Sequence, residues 1–396
     1  MARYLVEFDS RAALNRALAI LRPREIRMAD DSVLLICVDL SENERDLMKD
    51  MGTVYEDEQL APCDLGPVSF DDLGSVGPDD TWKTKSLADV LNDIKVPQAW
   101  NYGEGEGSTL VIVDSGINGC APEFPDWKRK ESDSFSFAFG DKHSWEDDIG
   151  HGSMIACIAA ARKAGKARHS GVAPAAKVIS CRTDFGLNDV TLIFSRLVAW
   201  LKKGKLKLPL VINNSLGTPG CSAPEYDEAH LYPKAVRQLV EMGAFVVCAA
   251  GNNHLSSCGC QPGGDGPNTI WGVNSLDEVC CVGMINWNGS NRVGKHAKSS
   301  RGPGQWRGGS TKPDCVAPSY GEVLWGDKYL ILDNWGTSGA APLVSGLACL
   351  MLGRRPTLSP SDIYQAIIAG CRKLTPSGPT RVGAGCIDCF ETMKLI

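Results

Sequence analysis

Past residue 108, the apolar positions of this 396-residue chain fall into short continuous runs separated by stretches with helical spacing. Residues 109–114, 177–182, 209–214, 244–249 and 279–283 are mostly apolar and of strand length, as strands buried on both faces are. Residues 151–162, 190–202, 231–242, 338–353 and 360–369 read as helices. The alternation predicts an α/β domain over 85–396, with a central, mainly parallel sheet covered on both faces in three layers. The first 60 residues follow another pattern. Strands at 3–8, 25–29, 33–40 and 53–58 enclose a helix at 11–21, carrying Leu14, Leu18 and Leu21, and a second helix opened by a Ser41/Glu44 capping box and running to Met51. That β-α-β-β-α-β order is ferredoxin-like and predicts a small α/β domain of its own. Residues 61–84 are rich in Gly, Asp, Pro and Ser, lack periodicity, and read as a linker. A short helix at 84–94 leads into the larger domain.

Four segments carry residues capable of chemistry. Val111-Ile112-Val113 runs into Asp114. Asp148-Ile149-Gly150-His151-Gly152-Ser153 opens a helix, and His151 is the only one of six histidines in a glycine-flanked apolar context. Ala249-Ala250-Gly251 leads to Asn252 and Asn253, and Gly336-Thr337-Ser338-Gly339-Ala340-Ala341-Pro342 begins a small-residue helix. A serine hydroxyl is a poor nucleophile at neutral pH; it needs a base, and the base needs an orienting partner. A side-chain amide can hold a developing oxyanion. Singly, each residue also fits a plain role: a strand-end turn, a buried histidine, a loop hydroxyl.

Together, in the order Asp, His, Asn, Ser, these segments resemble the subtilisin-like serine proteases. The resemblance implies Ser338 as nucleophile, His151 as general base and Asp114 as its orienting partner. It implies Asn252, which directly follows Ala-Ala-Gly, as oxyanion donor in preference to Asn253, with the Ser338 N–H as the second donor. Val211-Ile212-Asn213-Asn214-Ser215-Leu216-Gly217 is also similar, so Ser215, Leu216 and Gly217 would line one wall of the substrate pocket. Ala249, Ala250 and Gly251 would line the other, with the floor within 260–275. The walls are small and apolar and contain no acidic residue, which argues against a strict basic preference. Residues 1–60 resemble the family's I9-type inhibitory propeptide, whose tail lies in the groove and is cut there. The cut is expected near Asp64 or Leu65, or as late as Trp82. The implied activity is a serine endopeptidase made as a self-inhibited precursor and activated by autocleavage. The alternatives are a latent, regulated protease or binding module that keeps its propeptide, and a transpeptidase or macrocyclase. The likeness runs along nearly the whole chain, weakest at 61–92, 254–276 and 303–333.

Composition narrows the setting. A net charge of −6 gives no basic face for nucleic acid. No apolar run is read as a membrane span, and the N-terminus lacks a secretory h-region, so a cytoplasmic protein is expected. Of sixteen cysteines, Cys37, Cys157, Cys181, Cys248, Cys280, Cys281 and Cys349 sit in core-like runs, so reduced thiols are expected. Cys258/Cys260 and Cys386/Cys389 have spacings a metal or redox site uses, but the second pair falls on an ordinary strand-to-helix segment, and neither metal nor cofactor is expected. Many relatives hold calcium in the loop corresponding to 161–170. Here that loop has four Lys/Arg and no carboxylate, which argues against a cation and fits docking of an acidic partner or of residues 71–80. Two departures stand out: Met154 where relatives often have a second His, and Gly339 where Met or Ala usually follows the nucleophile. The expected partners are protein or peptide substrates and the chain's own N-terminal domain; no residue names a regulatory partner.

Overall fold

Strand pairing sorts the chain into a small antiparallel sheet and a large, mainly parallel one. The structure, a computed structural model, describes residues 2–21, 26–30, 33–62, 86–140, 142–218, 223–253, 268–286, 294–295, 299–306, 311–332, 335–374 and 378–396.

The N-terminal unit comprises β1 (Ala2–Glu7), α1 (Arg11–Ile20), β2 (Ile26–Asp30), β3 (Leu35–Leu40), α2 (Glu42–Lys49) and β4 (Thr53–Glu56), with strand order β2-β3-β1-β4, all antiparallel. Ser10 caps α1 by accepting from the Ala13 N–H, and the Ser41 N–H donates to Glu44 at 2.8 Å at the start of α2. Side chains alternate along the strands. Tyr4, Val6, Ile36 and Val38 pack under the unit's own helices, while Leu5, Leu35 and Cys37 join an apolar cluster of the larger domain. Both faces of this small sheet are therefore buried.

The chain continues through β5 (Ala61–Pro62), α3 (Leu87–Asp93), α4 (Val96–Ala99), β6 (Thr109–Asp114), β7 (Phe135–Ser136), α5 (His151–Ala160), β8 (Lys177–Arg182), α6 (Leu187–Lys202), β9 (Leu210–Asn214), β10 (Leu216–Gly217), α7 (Leu231–Glu241) and β11 (Phe245–Ala249). It ends with β12 (Cys280–Asn286), β13 (Gly294–Lys295), β14 (Cys315–Ala317), β15 (Gly321–Trp325), β16 (Lys328–Leu332), α8 (Gly336–Arg354), α9 (Pro360–Gly370), α10 (Pro379–Val382) and α11 (Cys389–Lys394). Strands β14-β12-β11-β9-β6-β8-β7 lie side by side and parallel, with β13 antiparallel against β12. Leu110 and Ile112 of β6 face α5 and α8; Val111 and Val113 face α6 and α7. The strand order reverses at β6, which lies between β8 and β9. In open α/β sheets, ligands bind beyond the strand ends at such a switch point. Asp114 and Ser215 stand there, because the pairing of Val113 with Asn214 sets them side by side.

Three departures from the sequence reading have physical causes. First, α6 starts at Leu187 rather than 190. Its N-cap, Gly186, has no capping side chain, and Asp57 of the small unit accepts from the Asn188 N–H at 2.9 Å. Second, residues 303–333, read as a weakly matched insertion, contain a sheet strand, β14, and the β15–β16 hairpin. Third, α8 is long and apolar enough to cross a membrane by length and composition, although no such run was read from the sequence. It is the buried central helix, packed on α5 and the sheet, and that environment explains its composition.

The basic loop 161–170 finds acidic partners within the chain. Arg162 pairs with Glu104 at 2.5 Å, and Arg168 pairs with Glu322 of the hairpin and stacks on Tyr329. Residues 71–80 lie outside the described residues. The twelve described cysteines are unbridged. Cys386 and Cys389 are buried in the core, and Cys258 and Cys260 lie outside the described residues. Among the described residues, no group of three or more His, Cys, Asp or Glu is arranged to hold a metal ion.

Candidate active site

Asp114 ends β6, His151 opens α5, and Ser338 is the third residue of α8. All three side chains are fully buried. His151 Nδ1 lies 2.7 Å from Asp114 Oδ1, which also accepts from the Ser115 N–H at 2.7 Å. Close backbone packing allows this approach. A Cβ on Gly152 would lie 2.0 Å from the Gly116 carbonyl oxygen, so the helix start and the strand-end turn meet only because Gly152 has no side chain. Trp325, at the tip of the β15–β16 hairpin, stands edge-to-face against the His151 ring at 6.2 Å between centroids.

The Ser338 hydroxyl donates to the Ser215 carbonyl at 3.1 Å, and Ser215 Oγ donates back to the Ser338 carbonyl at 3.3 Å. A hydroxyl has one proton, so in this rotamer it cannot also donate to His151. Productive contact requires Oγ to align with His151 Nε2, and such catalytic hydrogen bonds often tighten only when substrate arrives.

Asn252 is set by its neighbour in the nucleophile segment. Its Oδ1 accepts from the Thr337 N–H at 3.1 Å and from Thr337 Oγ1 at 3.2 Å. Thr337 Oγ1 in turn accepts from the Gly251 N–H at 3.0 Å. This fixes the amide orientation and makes Nδ2 the outward donor. That Nδ2 is buried and has no hydrogen-bond partner among the described residues. Asn253 is occupied otherwise: its N–H donates to Ser300 Oγ and its Nδ2 to the Thr218 carbonyl.

Leu216 and Gly217 form β10, and Ala249-Ala250-Gly251 leaves β11 toward Asn252. Asn274 Nδ2 donates to the Leu216 carbonyl at 2.8 Å, steadying β10 from behind. Across the groove lies the chain's own segment: Pro62 pairs with Leu216 and Ala61 with Gly217, antiparallel. Just upstream, the Leu60 N–H donates to the Phe185 carbonyl at 2.8 Å, the Leu187 N–H to the Glu58 carbonyl at 2.7 Å, and the Tyr226 N–H to the Glu58 carboxylate at 3.0 Å. Leu60 is buried in the same apolar cluster as Phe185 and Leu216. Asp64, Leu65 and Trp82 lie outside the described residues, as does the part of the expected pocket floor from 260 to 267.

Sequence reasoning passed over Thr337 as the anchor of Asn252, Trp325 beside His151, and Asp147. Asp147 had a readable signal, a carboxylate just ahead of a helix start. Gly339 has a structural reason. A Cβ there would lie 2.6 Å from Trp335 Cβ and 2.8 Å from Ser319 Oγ, and Trp335 is buried. Gly339→Met is therefore expected to destabilise the fold by about 1–3 kcal/mol, read as a lower denaturant midpoint at unchanged slope.

An Asp–His pair, a serine in the first turn of α8 bonded to Ser215, and an unspent amide donor beyond the sheet's switch point suit acyl transfer. The comparisons with known proteins agree. The Subtilase family model matches residues 105–385. Mycosin-3 of Mycobacterium tuberculosis is 27% identical over 383 residues, covering 87% of this chain and 77% of that protein. Serine protease AprX of Bacillus subtilis is 27% identical over 311 residues, covering 72% of this chain and 65% of AprX. The crystal structure of MycP1 with its N-terminal propeptide removed superposes with a TM-score of 0.59 at 24% identity, over 78% of this chain and 98% of that one, which establishes the fold. The chain belongs to the subtilase family and is a subtilisin-like serine peptidase.

Proposed function

We propose that the chain is a serine endopeptidase working through Asp114, His151 and Ser338, made as a precursor inhibited by its own N-terminal unit. His151 Nε2 takes the proton from Ser338 Oγ as that oxygen bonds to the peptide carbonyl carbon. The oxyanion is held by Asn252 Nδ2 and the Ser338 N–H, with the N-terminal end of α8 adding favourable charge. The C–N bond then breaks, and His151 returns the proton to the leaving amine. Water, deprotonated by the same imidazole, releases the acyl group. Asp114 holds the ring tautomer throughout.

The observation that carries this reading is the Asn252 amide. A buried N–H group without a partner costs about 1–3 kcal/mol, and Thr337 locks this one in place. Such an arrangement fits a donor reserved for a transient oxygen anion.

The precursor reading is supported by the pairing of Ala61 and Pro62 with β10, which is recognition by strand addition. The expected cut near Asp64 or Leu65 lies two or three residues beyond this pairing in the sequence. Burial of the whole triad, with the tail paired on β10, also fits the alternative in which the N-terminal unit is retained and the enzyme is latent. Intact masses of the wild-type chain and Ser338→Ala, expressed side by side, decide between them. Autocleavage predicts that the wild type loses a fragment ending near Asp64 or Leu65 while the variant stays whole. If both stay whole, the latent form gains; if both are cut alike, another protease does the cutting.

A further inference from the structure

We infer that Asp147 is a positioning residue for His151, a carboxylate clamp that holds the end of β6 and the start of α5 in one geometry. The inference rests on the triad reading above. Asp147 Oδ1 accepts from Ser115 Oγ at 2.9 Å, the Ile149 N–H at 3.2 Å and the Gly150 N–H at 2.7 Å. Its Oδ2 accepts from the Ser153 N–H at 2.8 Å and Ser153 Oγ at 2.6 Å. The donors flank the catalytic pair: Ser115 follows Asp114, and Gly150 and Ser153 bracket His151.

Two further bonds close the clamp. Ser115 Oγ accepts from the Gly152 N–H at 2.9 Å, and Ser153 Oγ accepts from the Asn118 N–H at 2.9 Å. Each hydroxyl thus gives its proton to Asp147 and receives one from the opposite element. The strand-end turn and the helix start are cross-linked twice through one carboxylate. Arg182, itself buried, braces the segment that presents Asp147 by donating to the Glu146 carbonyl at 2.7 Å and the His143 carbonyl at 3.2 Å.

The clamp answers two physical needs. The 2.7 Å bond between Asp114 and His151 depends on the separation of two elements whose close packing has no side chain to set it at Gly152. His151 must also become positive in the transition state at a helix N-terminus, where the backbone dipole disfavours a cation; a carboxylate bonded to the Ser153 N–H of the first turn, and to the Gly150 N–H at the N-cap, opposes that dipole. Neither need involves contact with substrate, so losing the clamp should lower turnover and leave binding alone.

The test uses the full chain with a fluorophosphonate probe and, for kinetics, the p-nitroanilide of Leu-Ala-Pro-Phe, which borrows the tail's own Leu60-Ala61-Pro62. Wild type must first be labelled at Ser338, as the full chain or after cleavage that removes residues 1–62; without a label in either form the triad reading falls, and the clamp with it. Given labelling, Asp147→Ala and Ser115→Ala should each label about 100-fold more slowly and lose the same factor in kcat, with KM within about twofold of wild type, as a displacement of about 1 Å would produce. Asp147→Asn, which keeps one accepting oxygen, should fall between them and wild type. Melting temperatures are recorded alongside. Labelling within about threefold of wild type in both variants, or a loss that follows a lower melting temperature or a raised KM, overturns the clamp and leaves the triad standing.

Discussion

Ser338→Ala is expected to lower peptide hydrolysis by about a million-fold while leaving the fold intact, because it removes the nucleophile from a unit whose parts act together. In the structure the hydroxyl makes one bond, to the Ser215 carbonyl, so its loss should cost the fold only about 1 kcal/mol. Activity should not vanish. A residual rate about 10³- to 10⁴-fold above the uncatalysed one should persist, because the oxyanion donors and the groove remain. Steady-state hydrolysis of a peptide anilide, with the melting temperature taken in parallel, checks this. A loss smaller than about 100-fold would place the nucleophile elsewhere, since one misplaced group alone can produce that much.

Asn252→Ala is expected to lower kcat by about 100- to 1000-fold with little change in KM, a magnitude taken from the corresponding amide of a subtilisin. The split follows from geometry: the amide is aimed at an oxygen that exists only once the carbonyl carbon is tetrahedral, so substrate binding gains little from it. Asn252→Asp separates this role from a merely structural one. Aspartate can still accept from the Thr337 N–H and hydroxyl, so the local fold should hold. It would also set a negative charge where the oxyanion forms, so its turnover should be no better than that of Asn252→Ala. Recovery of activity in the Asp variant would mean that Asn252 matters only as a brace for Thr337.

The candidate site was largely legible in the sequence because each part sits in its own short segment. Asp114 ends an apolar run, His151 and Ser338 open helices in glycine-rich contexts, and Asn252 follows Ala-Ala-Gly. The parallel sheet was legible for the same reason, as its strands are continuous apolar runs. Features that depend on distant partners were not. The early start of α6 depends on Asp57, which comes from the other unit. Asp147 looks like one more carboxylate in an acidic stretch until five donors converge on it. Trp325 acquires a role only when its hairpin folds back on His151. The Gly326-Asp327 turn between Gly321–Trp325 and Lys328–Leu332 is the local hairpin signal in this stretch. The need for glycine at 339 is set by Trp335, which occupies the space a larger side chain would need.

The most direct test of the central claim is where an active-site serine probe bonds. The wild-type chain, before and after removal of residues 1–62, is treated with a fluorophosphonate and the adduct located by peptide mass spectrometry. The account predicts a single adduct on Ser338, formed faster once the N-terminal unit is gone and absent from Ser338→Ala. An adduct on another residue, or none after the groove has been cleared, would contradict it.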